Sequence, residues 1–371
     1  MNTPKLRFKE FNNLWQNEKL EDAVEFLDEK RKPIKDSDRN NIKGEYPYYG
    51  ASGIIDYIND YIFDEDLLLL GEDGANILSR STKLVFKATG KYWVNNHAHV
   101  LKPKENYNID FLESYLENIN YESYNTGTAQ PKLNQEVCKK INIKIPSLKE
   151  QIKIGKTLSL LDKKIELQSK KIEDLKLFKL YTKNQIFNDY DEVFKLKDIL
   201  VKWNKKNKNN SVKYVESISN KYGFISQSDQ FEDRNVASKN LNNYYIIEKG
   251  VFGYNPSRLN VGSLALKTND KISVVSPLYE CFTTSQNNQY LLEWFDSKYF
   301  RKETISKFEG GVRNTLNFSN LCEIEIRLPI IEKQNKYSNI FRMFNNKIEL
   351  EVKKLYKLQE LKKGLMQNMF V

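Results

Sequence analysis

The chain has 371 residues, of which 40% are hydrophobic and 29% charged, and it carries a net charge of +10. This length favours two or three domains, and the apolar content is too high for a disordered chain. Three cysteines without C-x-x-C spacing exclude a disulfide framework, and two histidines leave little room for histidine-based catalysis or metal binding. The N-terminus has no apolar signal segment and no apolar run reaches membrane-spanning length, so a reduced, cytoplasmic protein is expected.

Residues 1–146 are predicted to form a first globular domain of mixed helix and strand. Two helices are predicted, at 18–28 and 109–119. Short apolar runs predict strands at 66–70, 84–86 and 93–94.

Two long helices are predicted, at 147–187 and 329–371. Pro146 and Pro329 stand just before them, where proline is tolerated. In each segment, apolar residues recur at alternating spacings of four and three, which is the heptad period of a coiled-coil seam. The predicted seam positions are Ile154, Leu158, Leu161, Ile165, Gln168, Ile172 and Leu175 in the first helix and Phe341, Phe344, Ile348, Glu351, Leu355 and Leu358 in the second.

Residues 188–328 are predicted to form a second mixed domain between the helices. A helix is predicted at 290–303, with strands at 272–275 and 323–326. The stretch 202–213 is rich in lysine and asparagine and predicts an exposed basic loop.

The sequence contains an internal repeat of one unit. Residues 141–187 align without gaps to 324–370, with 14 of 47 positions identical. The same offset places Leu133 on Leu316 and Tyr107 on Tyr290. The repeat predicts an α+β protein in which the two helices form an antiparallel coiled coil with a globular domain at each end. The two copies would then be related by a pseudo-two-fold axis.

Two features of the predicted helices have alternative interpretations. Gln168 and Glu351 share one seam position, where a polar residue costs stability but can fix register; equally, both could reach solvent at the seam edge. Large apolar residues outside the seam would contact either a partner protein or the chain's own domains. These residues are Leu160, Leu167, Leu177, Leu180, Tyr181, Leu350, Tyr356 and Leu365.

The excess positive charge lies on the predicted helices. Each long segment has a net charge of +5, so the globular domains together are neutral. A basic chain often binds nucleic acid, but charges on helix faces are more often simply solvated. Charge alone therefore does not indicate DNA binding.

The sequence lacks recognisable catalytic machinery. Asn255-Pro256-Ser257-Arg258 resembles the start of an amino-methyltransferase motif but lacks the second proline and the aromatic residue. No glycine-rich S-adenosylmethionine loop and no metal-nuclease constellation is present. His97 and His99 have no nearby cysteine, so no metal site is predicted.

Polar and aromatic residues concentrate in turn-like segments of both predicted domains. Such loops can present side chains to base edges, with glycine allowing close backbone approach to phosphate. The alternative is that they are tight turns that serve the fold. The segments include 46–54, 71–76, 95–97, 125–132, 254–258, 276–279 and 310–315.

The whole chain resembles the specificity (S) subunits of type I restriction-modification systems. The resemblance rests on the doubled architecture, on Thr126-Gly127-Thr128-x-Gln130-x-x-Leu133, and on the Ile-x-Ile-Pro-x-x-x-x-Gln sequence that begins each long helix. Tyr-Gly-x-x-Gly and Gly-x-Asp-Gly-Ala turns add to it. Residues 310–316 (Gly-Gly-Val-Arg-Asn-Thr-Leu) depart from their counterparts 127–133 (Gly-Thr-Ala-Gln-Pro-Lys-Leu), as expected if the domains read different bases.

This resemblance implies a non-catalytic DNA-recognition subunit. Each globular domain would be a target-recognition domain that reads one half of a bipartite, asymmetric site in double-stranded DNA. The helical pair would set the spacing and dock two modification (methyltransferase) subunits, and restriction (translocase and nuclease) subunits would join them. No cofactor is expected in this chain, whereas S-adenosylmethionine, ATP and magnesium would belong to the partner subunits.

The resemblance also suggests which residues lie near DNA. Arg258 and Arg313 would suit guanine, Asn96 or Gln130 adenine, and Glu72 or Asp73 cytosine. The full set is Tyr49, Ser52, Glu72, Asp73, Asn96, Thr128, Gln130 and Lys132 in the first domain and Tyr254, Asn255, Arg258, Tyr279, Arg313, Asn314 and Thr315 in the second.

Two functions of other classes compete with this interpretation. A coiled-coil scaffold could bind protein partners through its helices without reading bases. An independent DNA methyltransferase or nuclease is a third possibility, and the missing motif residues argue against it.

Overall fold

The computed structural model describes residues 3–220, 222–226, 240–305 and 315–371. It has two compact units, the first formed by Met1–Lys171 with Val352–Val371 and the second by Ile172–Glu351. Each unit therefore contains a mixed α/β domain together with part of each long helix. The boundaries predicted at 146 and 328 fall between the last strand of each domain and the long helix that follows it. The compact units, in contrast, end within the long helices. No helix among the described residues is long and apolar enough to cross a membrane.

The first domain contains two four-stranded sheets and one strand pair. The sheet orders are β2-β9-β6-β7 and β4-β3-β8-β5, and β1 pairs with β10. The strands are β1 (Gln16–Lys19), β2 (Val24–Phe26), β3 (Lys43–Gly50), β4 (Gly53–Ile58), β5 (Phe63–Asp64), β6 (Leu67–Gly71), β7 (Val85–Ala88), β8 (Lys91–Val94), β9 (Ala98–Pro103) and β10 (Asn142–Ile145).

The second domain repeats part of this plan. Its main sheet has the order β12-β19-β16-β17, β11 pairs with β20, and two further pairs are β13-β14 and β15-β18. The described strands are β11 (Glu192–Lys195), β12 (Leu200–Lys202), β13 (Glu216–Ser219), β14 (Gly223–Ser226), β15 (Tyr245–Ile247), β16 (Phe252–Tyr254), β17 (Leu264–Leu266), β18 (Ser273–Val275), β19 (Glu280–Thr284) and β20 (Glu325–Leu328).

The main sheets of the two domains match strand by strand. In both, an inner strand (β6 or β16) is antiparallel to β9 or β19 on one side and to β7 or β17 on the other. The short pairs β1-β10 and β11-β20 also correspond, and each ends just before a long helix. The duplication inferred from the sequence is therefore present in the topology.

Short helices connect the strands. The described α-helices are Leu20–Ala23, Asp36–Arg39, Asn76–Ser79, Ile109–Glu117, Gln135–Lys139, Leu196–Ile199, Asn288–Phe295, Lys298–Ile305 and Phe318–Cys322, and the 3-10 helices are Asp28–Lys30, Glu122–Tyr124 and Pro256–Val261.

Three predictions about local structure were wrong. The helix predicted at 18–28 is a single helical turn between two strands, because Val24–Phe26 pairs with β9 and tertiary pairing overrides local propensity. The helix predicted at 290–303 is two helices, and the backbone N–H of Phe300 in the second is bonded to the Ser297 hydroxyl. The loop at 202–213 is not wholly exposed, because Asn207 is buried and its amide bonds to both backbone groups of Val212.

The alignment of Tyr107 with Tyr290 was also wrong, by four residues. Tyr290 matches Phe111: the Tyr290 ring lies 5.5 Å from Phe187, and the Phe111 ring lies 5.9 Å from Phe370. Phe187 and Phe370 are counterparts near the ends of the two long helices. An insertion-free alignment could not detect this shift, because the globular domains have diverged in loop length.

The two long helices span Leu148–Asn188 and Ile331–Met369. In the second unit, the Phe178 ring lies 5.5 Å from Phe344 and the Phe187 ring 5.9 Å from Phe341, so the segments run antiparallel. In the first unit, Asp162 forms an ion pair with Lys362. The early part of the first helix thus meets the late part of the second.

All predicted seam residues are at least half-buried. Glu351 is completely buried, and its carboxylate lies 3.2 Å from the Lys347 ammonium group. Exposure at the seam edge is thereby excluded for Glu351, while Gln168 is half-buried and its register role stays a prediction. The fully buried members are Ile154, Leu158, Leu161, Ile172, Phe341 and Glu351, and the half-buried members are Ile165, Gln168, Leu175, Phe344, Ile348, Leu355 and Leu358.

Candidate nucleic-acid interface

The candidate residues of the first domain gather at one end of its main sheet. Gly71, the last residue of β6, pairs with Ala98, the first residue of β9. Because the strands are antiparallel, the segment after β6 and the segment before β9 meet at this end. The backbone N–H of Glu72 donates to the His97 carbonyl at 2.8 Å, which joins the two segments directly.

A third segment, residues 125–132, is attached to the same edge. The Leu133 N–H donates to the Glu72 carbonyl at 2.7 Å, and Asp73 forms a bridge with Lys132. The Asn125 side-chain oxygen accepts from the N–H groups of both Gly127 and Lys132, which closes the loop.

This loop is compact, and its tip faces solvent. A Cβ at Gly127 would lie 1.8 Å from the Gln130 carbonyl oxygen, so only glycine fits there. Thr128, Gln130 and Lys132 are exposed. The loop can therefore present the Gln130 amide and the Thr128 hydroxyl to a ligand, while the Lys132 ammonium group lies 3.3 Å from the Glu72 carboxylate.

The hairpin between β3 and β4 borders the same edge. Ser52 at its tip is exposed, and the neighbouring Ala51 carbonyl oxygen would lie 2.6 Å from a Cβ at Gly71. Asn96, in the segment before β9, is also exposed. Tyr49 is different, since its ring is half-buried and packs against Phe86 and Tyr92, so it contributes mainly to the core.

A buried charge network lies beneath this edge. The Arg31 guanidinium contacts the Glu72 carboxylate at 2.7 Å and that of Asp28 at 3.3 Å. His99 donates from Nδ1 to Asp28 at 2.6 Å and from Nε2 to the Leu133 carbonyl at 2.8 Å. Both ring nitrogens therefore face acceptors, an arrangement that requires the protonated imidazolium.

Electrostatics agree with this geometry. Burial alone would lower the pKa of His99, but its hydrogen bond to Asp28 and its contact with Cys138 raise that pKa to about 10. Burial would raise the pKa of Asp28, yet the His99 hydrogen bond and charge hold it below its usual value. The network thus holds Glu72 with its carboxylate 13% exposed and oriented by Arg31.

Among the described residues, Asp28, Glu72 and His99 form a group whose ligand atoms lie within 4.8 Å of one another. Such a group could hold a metal ion in principle. Here the Arg31 guanidinium lies against both carboxylates, and both His99 nitrogens bind other protein atoms. The chemistry of the group is that of a satisfied ion-pair network.

The second domain places its candidates at the equivalent end of its sheet. Tyr254, the last residue of β16, pairs with Glu280, the first residue of β19. The Leu316 N–H donates to the Pro256 carbonyl at 3.1 Å, just as Leu133 donates to Glu72 in the first domain. In each domain, therefore, the segments that flank two neighbouring strands meet at this end of the sheet, and Leu133 or Leu316 is bonded to the same place.

The side chains at this second edge differ in exposure. Arg258 is exposed, and Asn255 caps the 3-10 helix Pro256–Val261 by accepting from the Ser257 N–H at 3.0 Å. Tyr279 is half-buried against the core, and Thr315 is half-buried.

Tyr254, Arg313 and Asn314 were also predicted to lie near DNA. The prediction for Tyr254 was wrong, because its side chain is completely buried in the core and is not available to DNA. Arg313 and Asn314 lie outside the residues that the structure describes.

Comparison with known proteins identifies this arrangement. Residues 12–177 and 189–360 each match the family model described as the type I restriction modification DNA specificity domain. The chain belongs to this family.

Individual relatives agree with the family match. A Haemophilus influenzae protein, provisionally named a type I restriction enzyme specificity subunit, is 37% identical over 142 residues, which is 38% of this chain and 36% of that protein. The MjaVIII specificity subunit of Methanocaldococcus jannaschii is 22% identical over 97% of this chain and 94% of its own. The crystal structure of an S subunit from M. genitalium has the same fold, with a TM-score of 0.66 at 14% identity over 100% of this chain and 99% of that chain.

In this specificity protein, most of the apolar residues outside the seam remain uncovered. Leu177 is 67% exposed and Tyr356 63% exposed, so the chain's own domains do not cover them. Leu365 is the exception, since it packs against the core of the first unit. The exposed members are Leu160, Leu167, Leu177, Leu180, Tyr181, Leu350 and Tyr356.

Several residues of the specificity domain's edge were missed from the sequence. Asp28, Arg31 and Gln135 were not selected, although the Gln135 amide also donates to Asp28 at 3.0 Å. They lie far apart in the chain and carry no local motif. The one available signal was the presence of charged residues between short apolar runs, and it does not distinguish a buried network from a solvated turn.

Proposed function

We propose that this chain is the DNA sequence-specificity subunit of a type I restriction-modification complex, in which each globular domain reads one half of a bipartite, asymmetric site. The observation that carries the proposal is the repeated edge. In each domain, Leu133 or Leu316 is hydrogen-bonded to the segment after β6 or β16, at the same end of the equivalent four-stranded sheet.

The chemistry of the two edges supports different base preferences. The first edge offers the exposed amides of Gln130 and Asn96, which suit adenine, whereas the carboxylate of Glu72, the candidate for cytosine, is paired with Arg31 and Lys132. The second offers Asn255 and Arg258, and a bidentate arginine suits guanine. A shared scaffold with different polar side chains is what two unlike half-sites require.

The long helices would carry the partner subunits. Their exposed apolar residues fit a docking surface better than solvent, since large apolar patches usually mark interfaces. Two modification subunits would bind S-adenosylmethionine and methylate adenine there, and restriction subunits with ATP and magnesium would complete the complex. This chain would supply no catalytic residue. A subunit that binds chromosomal DNA would be located in the cytoplasm.

The neutral net charge of the two globular domains fits the same proposal. The partner subunits would supply much of the phosphate contact, which explains why the recognition domains together are neutral. A scaffold that reads no bases would not need two domains with matched edges and different side chains.

The first experiment is methylome sequencing of the source cell with and without this gene. One bipartite, asymmetric adenine-methylation motif should disappear when the gene is deleted. An unchanged methylome, together with no site-specific methylation by the purified chain and its modification subunit, would reject the proposal in favour of the scaffold.

A matched pair of lysines then tests the first edge. Lys132 lies at the proposed DNA edge, whereas Lys104 follows the opposite end of β9, and both are exposed. Lys132→Ala should weaken DNA binding by the assembled methyltransferase and reduce the salt dependence by about one counterion, and Lys104→Ala should not. Equal effects of the two substitutions would contradict this placement of the DNA.

A further inference from the structure

The glutamine that follows each helix-starting proline is buried and fully bonded. Gln151 is 1% exposed. Its side-chain oxygen accepts from the Asn108 N–H at 2.9 Å, and its amide nitrogen donates to the carbonyls of Asn106 at 3.2 Å and Pro146 at 3.0 Å. One side chain thus ties the start of the long helix to the start of helix Ile109–Glu117.

Gln334 repeats the arrangement in the second domain. It is also 1% exposed. Its oxygen accepts from the Asn287 N–H at 3.1 Å, and its nitrogen donates to the Pro329 carbonyl and to the Gln286 side chain, both at 2.8 Å. Asn287 begins helix Asn288–Phe295, as Asn108 begins helix Ile109–Glu117.

The joined helix ends are themselves fixed. The side chains of Asn108 and Asn287 cap their own helices, accepting from the N–H groups of Phe111 and Tyr290 at 3.0 and 2.9 Å. One turn after Gln151, the long helix approaches so closely that a Cβ at Gly155 would lie 2.6 Å from the Asn108 side-chain oxygen. At each capping asparagine, therefore, the backbone N–H donates to a glutamine of the long helix. The asparagine side-chain oxygen accepts from the first turn of its own helix.

Neighbouring contacts of the long helices are not repeated in this way. Glu150, beside Gln151, is buried and paired with Arg7. Its counterpart Lys333 is more exposed and pairs with Asp189 and Asp191. The glutamine joint is kept in both copies while the ion pairs around it change.

We propose that Gln151 and Gln334 are positioning residues that fix the orientation of each recognition domain on its long helix, and so determine which spacing of DNA half-sites the protein accepts. The inference rests on the proposed function. Hydrogen bonds are directional, whereas apolar packing between the same helices tolerates small rotations. A small rotation at the joint becomes a large displacement at the far side of a domain.

The test uses Gln151→Met and Gln334→Met, which keep the side-chain volume and remove every hydrogen bond. Ile152→Met is the control, because Ile152 is exposed on the same helix. Each variant is assembled with its modification subunit. Methylation is then measured on duplexes that have the natural half-site spacing or one base pair more or fewer.

The expected result is a loss of discrimination between spacings of about fivefold to tenfold in each glutamine variant, as the loss of buried hydrogen bonds implies. The base preference at each half-site should stay unchanged, and Ile152→Met should behave as the parent chain. Hydrogen exchange at the Asn108 and Asn287 amides, measured without DNA, should accelerate only in the corresponding glutamine variant.

An equal loss of methylation at every spacing would mark the glutamines as merely structural and overturn the proposal. Faster amide exchange with unchanged discrimination would overturn it as well. If the parent chain supports no site-specific methylation, the proposed function itself fails and the spacing role with it. The exchange data would show, independently of that outcome, whether the glutamines hold the joint.

Discussion

The close contact at Gly155 predicts whether a glycine-to-alanine substitution there stabilises or destabilises the protein. Gly155 and Gly364 both lie inside long helices and in the first unit. A Cβ at Gly155 would lie 2.6 Å from the Asn108 oxygen and 2.7 Å from the Phe111 nitrogen, whereas nothing lies within 4 Å of a Cβ at Gly364. The same substitution to alanine should therefore have opposite effects at the two positions.

The expected magnitudes follow from two terms. Replacing a helical glycine by alanine stabilises a helix by about 0.5–1 kcal/mol. At Gly364 this term stands alone, so Gly364→Ala should be stabilising by that amount. At Gly155, backbone atoms would have to move, and overpacking costs about 1–3 kcal/mol, so after the helix term is subtracted Gly155→Ala should be destabilising by up to about 2.5 kcal/mol.

Hydrogen exchange at amides of β6 in the first unit, read by mass spectrometry, measures both variants in the intact chain. Slower exchange is expected for Gly364→Ala and faster exchange for Gly155→Ala. Two stabilised variants would refute the close approach of helix Ile109–Glu117 to the long helix.

Two further predictions concern buried ion pairs. Because the folded pKa of His99, about 10, lies above its ordinary value, its stabilisation is complete below about pH 6.5 and is lost as pH rises toward 10. Asp28→Asn should flatten this loss in urea titrations between pH 6 and 10, and an unchanged pH profile would contradict the pairing. In the second domain, the Lys267 ammonium is paired with the Glu216 carboxylate and both are buried, so Lys267→Met should be destabilising by about 3–5 kcal/mol. The double variant Lys267→Met with Glu216→Met should recover most of the lost free energy of unfolding. If it is no more stable than Lys267→Met alone, the two residues do not act as a simple charge pair.

The long helices could be predicted because their signal is local and periodic. Seam residues such as Leu158 and Phe341 follow the heptad spacing, and the proline before each helix fixes where it begins. Residues 18–28 show the opposite case, since Val24 belongs to a strand only because β9 lies beside it. Pairing with a distant strand leaves no trace in a short window of sequence.

The segments of the candidate edge were selected from the sequence, but neither their meeting at one edge nor the burial of their individual side chains was predicted. Turn-like segments that contain Glu72 and Gln130 were recognised by their composition, and the structure places both segments at one edge. Tyr254 was selected for the same reason and is buried, because a polar turn begins immediately after a strand that faces the core. Asp28 and Arg31 were missed, because a charged residue is recognised as buried only when its partners are known.

The guanidinium group of Arg31 gives the first domain a counter-ion that cannot dissociate. Two carboxylates and an imidazole converge here as they would around a bound cation, yet the balancing charge is covalently part of the chain. The arrangement of this edge is therefore expected not to require a divalent ion. A chelator should leave the arrangement of Asp28, Glu72 and His99 unchanged.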